Sequence, residues 1–127
     1  MPNYWYDHIH LISPDVAKTA EFYERNFNAV RVYLRDLPGG AKSASLTLND
    51  SRILIAQSSG AISTAGPAGG LEHFGIRTDD IESAVKDLKA NGVKFRGEIT
   101  EIRPGVKIVY LWGPDNVLIE LLELKPR

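Results

Sequence analysis

The sequence predicts an α+β fold built from two copies of one β-α-β-β-β module, and three observations carry that prediction. The segment Asp7-His8-Ile9-His10-Leu11-Ile12-Ser13-Pro14-Asp15-Val16 recurs as Glu72-His73-Phe74-Gly75-Ile76-Arg77-Thr78-Asp79-Asp80-Ile81, with His8 and His73, and likewise Asp15 and Asp80, 65 positions apart. Asn116-Val117-Leu118-Ile119-Glu120-Leu121 matches Asp50-Ser51-Arg52-Ile53-Leu54-Ile55 at an offset of 66. Between the copies, residues 59–70 are rich in Ser, Gly, Ala and Pro and carry no charge. Repetition on this scale marks a duplicated supersecondary unit. The expected plan is one domain over 1–127, made of repeats 1–58 and 71–127, with 59–70 as linker or flap.

In the first repeat, alternation over 4–12 predicts a strand, and Ser13-Pro14-Asp15 opens a helix with Ser13 as N-cap and Pro14 at the first helical position. Val16, Ala20, Tyr23 and Phe27 fall at helical spacing, so Tyr23 and its neighbour Phe22 read as core. Ala29 to Arg35 reads as a strand and Leu37-Pro38-Gly39-Gly40 as a turn. Lys42–Leu48 and Arg52–Gln57 form a hairpin across Asn49-Asp50-Ser51. The second repeat keeps the order: a strand over 71–77, a helix from Asp79 to Ala90 stopped by Asn91-Gly92, and strands near 93–98, 106–112 and 117–124. Tyr4, Trp5 and Tyr6 suit a sheet edge or a contact between two copies.

Composition narrows the function. A net charge of −1 with mixed signs gives no basic groove for nucleic acid and no membrane-facing patch. The absence of cysteine excludes disulfides, thiolate nucleophiles and iron–sulfur clusters. No apolar run reaches the roughly 20 residues of a membrane span, and Met1 to Tyr6 has no signal-peptide pattern, so the expectation is a soluble cytoplasmic protein.

The candidate chemistry lies in the repeat itself. Histidines on matching strands of two modules can converge near the axis relating them. Glu120 sits in an apolar strand, where a carboxylate is either turned to solvent or held by a cation. Glu123 falls on the opposite face by strand parity. His8, His73 and Glu120 together would make a three-ligand site for a divalent ion, with coordination positions left open. The same spacing also suits two ordinary strand histidines and an exposed Glu120. His10 shares a face with His8 and reads as a proton carrier, a substrate donor or a core histidine.

The paired modules, with Asp-His-Ile…Pro-Asp-Val and Glu-His-Phe-Gly-Ile…Asp-Asp-Ile, resemble the vicinal oxygen chelate superfamily of glyoxalases, bleomycin resistance proteins and extradiol dioxygenases. Gly113-Pro114-Asp115-Asn116-Val117-Leu118-Ile119-Glu120-Leu121 is similar to that family's Asp-Pro-Asp-Gly-x-x-(Ile/Leu)-Glu-(Leu) ending, with Gly113 and Asn116 as departures that turn geometry tolerates. The resemblance covers essentially the whole chain. It implies a curved eight-stranded mixed sheet forming a cup or barrel, with metal ligands at His8, His73 and Glu120. The fourth position of the pattern is Leu54, where glyoxalase I and methylmalonyl-CoA epimerase carry Glu or Gln. A leucine neither ligates nor shuttles a proton, and Gln57 has the wrong parity to replace it.

The remaining two histidines and one glutamate resemble the dioxygenase and fosfomycin-transferase branches. That set implies Fe2+ or Mn2+, with Zn2+ or Ni2+ as alternatives, and a small substrate chelated through two neighbouring oxygens. Dioxygenase chemistry is the slightly favoured expectation, with lyase, isomerase or thiol-transferase chemistry, or metal-free drug binding, as alternatives. Tyr110, ten residues before Glu120, stands where those branches place a substrate-contacting tyrosine. His10 and Tyr110 are therefore the candidate catalytic residues. Arg103 is a candidate anion grip and Trp112 a candidate wall of the cup, and solvated-loop and core roles suit them equally. A homodimer is the expected assembly.

Overall fold

The structure, a computed structural model, describes residues 3, 8–58 and 73–125. The Tyr4–Tyr6 cluster and the 59–70 linker lie outside the described residues. The chain divides into two compact units, Met1–Ser63 and Thr64–Arg127.

The first unit contains β1 (His8–Ser13), α1 (Val16–Phe27), β2 (Val30–Asp36), β3 (Lys42–Leu48) and β4 (Ser51–Gln57). The second contains β5 (Phe74–Arg77), α2 (Ile81–Ala90), β6 (Lys94–Arg103), β7 (Val106–Trp112) and β8 (Leu118–Leu124), with one 3-10 turn at Pro114–Asn116. Each unit has one four-stranded mixed sheet, in the orders β1-β4-β3-β2 and β5-β8-β7-β6. The first strand of each unit runs parallel to its last, and the other pairs are antiparallel. This is the repeated β-α-β-β-β order.

Strand alternation gives each sheet one face for its helix. In the first unit Leu11, Ala44, Leu46, Ile53 and Ile55 are buried, and Tyr23, Val16 and Ala20 of α1 are buried as their counterparts. In the second unit Ile76, Val109, Leu111, Ile119 and Leu121 are buried, together with Ile81, Val85 and Leu88 of α2. Removing these apolar side chains from water is the main stabilising term. The interposed residues of each strand fall on the opposite face, which is where every candidate ligand lies.

Both helices start later than predicted. Ser13 is not the N-cap of α1: it ends β1, with its buried hydroxyl 2.7 Å from Thr19 Oγ1 and accepting from Asp15 N. The cap is Asp15, whose carboxylate accepts from Lys18 N at 3.1 Å. The helix predicted from Asp79 begins at Ile81, where Asp80 accepts from Ser83 N at 3.1 Å. A carboxylate suits this position because it satisfies an orphan N–H and faces the positive helix end. The caps are thus the two aspartates that the repeat sets 65 apart.

Two turns and one strand also differ in extent. Ser51 pairs with Leu48, so the first hairpin turns on Asn49-Asp50 alone, with Asn49 at φ 55°. β6 runs on through 98–103, a stretch expected as loop, and turns into β7 at Pro104-Gly105. Register shifts between Arg96 and Thr100 and between Glu101 and Arg103 absorb its extra residues.

Candidate functional site

Parallel pairing of β5 with β8 sets Gly75 opposite Glu120, and antiparallel pairing sets Tyr110 opposite Glu120 and Arg96 opposite Tyr110. One cross-strand row of the second unit is therefore Gly75–Glu120–Tyr110–Arg96. His73, two residues before Gly75, has the same parity and lies just ahead of β5. His73 Nε2 lies 3.8 Å from Glu120 Oε1. Tyr110 donates its hydroxyl to Glu120 Oε2 at 3.1 Å. The His73 and Tyr110 rings meet edge to face, with centroids 5.4 Å apart.

All three side chains are partly buried. Gly75 keeps the space beside the carboxylate open: a Cβ there would stand 3.8 Å from Glu120 Oε1 and 3.3 Å from the Leu122 side chain. Two donor atoms 3.8 Å apart fall within the roughly 3–4 Å that two metal–ligand bonds of about 2.1 Å can bridge. The second unit thus supplies an imidazole, a carboxylate and a hydroxyl that orients the carboxylate.

The matching row of the first unit is His10–Leu54–Ser45–Tyr33. Leu54 occupies the Glu120 position, as the repeat predicted, and Ser45 the Tyr110 position. His10 stands where the second unit has Gly75, beside a leucine that needs no such space. His8 is opposite Arg52, and the His8 and His10 rings lie 6.3 Å apart. Both histidines are exposed on the sheet face turned away from α1.

The other two candidates are placed differently. Trp112 pairs with Leu118, one same-face row from Glu120, and is half-buried. Arg103 pairs with Val106 at the far end of the ladder. Four strand residues separate Val106 from Tyr110, about 13 Å, so the structure does not bring Arg103 to Glu120. Sequence reasoning missed Gly75 and Arg96. The 65-residue offset that pairs Gly75 with His10 was the available signal for the first, and nothing in the sequence marked the second.

Glu123 lies on the opposite face from Glu120, as parity predicted, and it is the more buried of the two at 2 % exposure. Its Oε1 accepts from Ile81 N at 3.0 Å, tying β8 to the start of α2. Asp80, Glu82 and Glu123 bring carboxylate oxygens within 4.8 Å of one another. Their charges are already engaged: Asp80 caps α2, Lys107 donates to Glu82 at 2.7 Å, and Lys125 Nζ lies 4.0 Å from Glu123. The hydrogen bond from Lys107 holds the Glu82 carboxyl below its ordinary range and raises the lysine in return. The cluster is a helix-start contact.

The family described as the Glyoxalase/Bleomycin resistance protein/Dioxygenase superfamily matches residues 5–121. Human mitochondrial methylmalonyl-CoA epimerase is 30% identical over 125 residues, covering 91% of this chain and 71% of the epimerase. A glyoxalase family protein from Enterococcus faecalis superposes with a TM-score of 0.76 at 21% identity, covering 91% of this chain and 94% of the other. The fosfomycin resistance protein FosX from Listeria monocytogenes, complexed with Mn(II) and sulfate, gives 0.72 at 19% identity, covering 98% and 94%. These superpositions support the fold. Among the described residues no helix is long and apolar enough to cross a membrane.

Proposed function

The chain belongs to the glyoxalase/bleomycin resistance protein/dioxygenase superfamily, and within it we propose a divalent-metal-dependent enzyme acting on a small substrate chelated through two neighbouring oxygens. The observation that carries this reading is the His73–Glu120–Tyr110 constellation, with 3.8 Å between the imidazole and the carboxylate. The proposed ligands are His73 and Glu120, with His8 as the third. The assignment of His8 rests on the sequence repeat. Mn2+ or Fe2+ suits an imidazole and carboxylate set, and Zn2+ or Ni2+ suits it by donor type.

Tyr110 holds Glu120 by Oε2, which leaves Oε1 turned toward His73. A bound divalent ion supplies Lewis acidity, which stabilises charge developing on the chelated oxygens. The chain's own residues handle the proton. In the first unit Leu54 has no carboxylate to offer, and His10, directly opposite it, is the proposed proton carrier.

The dioxygenase leaning of the sequence reading finds no specific support among the relatives. The curated relative is an epimerase and the solved neighbours include FosX. The reaction class proposed is accordingly proton transfer or addition beside the chelated oxygens, of the isomerase or lyase kind. Leu54 separates this chain from enzymes that use two metal-adjacent carboxylates. A homodimer is the assembly proposed with it.

The Tyr110–Glu120 hydrogen bond gives a direct test. Tyr110→Phe keeps the ring that meets His73 and removes only the hydroxyl. It should lower Mn2+ affinity about 10- to 100-fold, in line with the loss of a ligand-orienting partner, with little change in thermal stability. Unchanged affinity in a titration of chelator-treated protein would remove Tyr110 from the site.

A further inference from the structure

The face that carries Glu120 also carries basic side chains. Its paired ladder positions in the second unit include Arg77, Lys94, Arg96 and Arg103, with Glu120 as the paired carboxylate and Glu98 in the unpaired stretch of β6 among the described residues. Arg96 differs from the other three because it lies in the Glu120 row itself, paired with Tyr110. Its guanidinium carbon stands 4.7 Å from the centre of the Tyr110 ring. Among the described residues Arg96 makes no ion pair. Immediately beyond it β6 breaks register, with Gly97 at φ 90°, so Arg96 is the last regular position before the irregular stretch.

An exposed arginine is ordinarily just solvated. This one lies over the ring of the residue that holds the candidate metal ligand. Cation–π attraction holds a guanidinium over the ring and leaves its outer N–H groups for a planar anion. Two interstrand spacings, about 10 Å, separate the Arg96 and Glu120 backbones. An ion bound through bonds of about 2.1 Å, two chelating oxygens and a second acidic group a few bonds further on together span a distance of that order.

We propose that Arg96, held against Tyr110 in the Glu120 row, binds a second acidic group of the chelated substrate. The substrate class is then a 2-hydroxy or 2-oxo acid that also bears a distal carboxylate or comparable oxyanion. The assignment rests on the metal-dependent reading above and extends it to specificity. Arg103, the sequence candidate for an anion grip, stands too far along the ladder to take this part.

Malate and lactate separate the two ideas, since they share the chelating 2-hydroxycarboxylate and only malate carries a second carboxylate. Binding of each to the Mn2+-loaded full chain is read by water-proton relaxation. The wild type should prefer malate by roughly tenfold or more, the scale of one charge-assisted contact. Arg96→Gln should bring the two close to parity while leaving lactate binding and Mn2+ affinity unchanged, and Arg96→Lys should keep part of the preference. An Arg96→Gln variant with the wild-type malate preference, or a wild type with no preference, overturns the Arg96 assignment alone. A wild type that binds no Mn2+ overturns the metal reading and this assignment with it.

Discussion

Glu120→Ala should abolish metal retention and turnover while leaving the chain folded. Loss of an outer partner of a ligand costs about 10- to 100-fold in metal affinity, so loss of the ligand itself should exceed about 100-fold. The fold is expected to tolerate the change because Glu120 is only partly buried, on the face away from α2. Its removal takes a hydrogen bond from Tyr110 and opens no cavity in the helix-facing core. The stability cost should be within about 1 kcal/mol. Metal content after purification and a thermal melt check both halves. A variant that keeps its ion, or one that unfolds, contradicts the placement of Glu120.

Three residues further along the same strand, Glu123→Ala should do the reverse. Glu123 is buried against α2, and its Oε1 takes the backbone N–H of Ile81, one of the orphan donors of a helix start. Alanine leaves that N–H without its acceptor and leaves space behind, together about 2–4 kcal/mol. The contact with Lys125 adds little, because the lysine is exposed at 4.0 Å. For a chain of this length the melting temperature should fall on the order of 10 °C. Glu123→Gln keeps an acceptor and should recover most of the loss. Mn2+ affinity should be unchanged in both, and a fall in affinity at constant stability would place Glu123 in the metal site instead.

The opposite fates of these two glutamates show what the sequence made legible. Strand parity alone separated them, and the structure puts each on the face parity assigned. The repeat predicted the module order and the equivalence of Leu54 with Glu120, because duplicated hydrogen-bond registers preserve residue spacing. Parity did not reveal which glutamate would be buried: that depends on the N–H of Ile81, 42 residues away in the chain. The helix starts were misplaced because Ser13, Asp15, Asp79 and Asp80 are all competent caps by residue type. Tertiary contacts, such as Ser13 with Thr19, decide among them. The length of β6 was hidden by its register shifts, since a bulged strand loses the alternation that signals a strand. Arg96 carried no local mark at all. Its place follows from pairing across two strands, which no single segment encodes.

The histidine repeated in the two modules is proposed to serve one ion together with Glu120. A Mn2+ titration of the chelator-treated chain, followed by electron paramagnetic resonance, tests it most directly in the wild type, His8→Ala and His73→Ala. One tight ion per chain is expected in the wild type, with loss of that same site in either variant. A wild type without a stoichiometric site, or a site unaffected by either substitution, would contradict it.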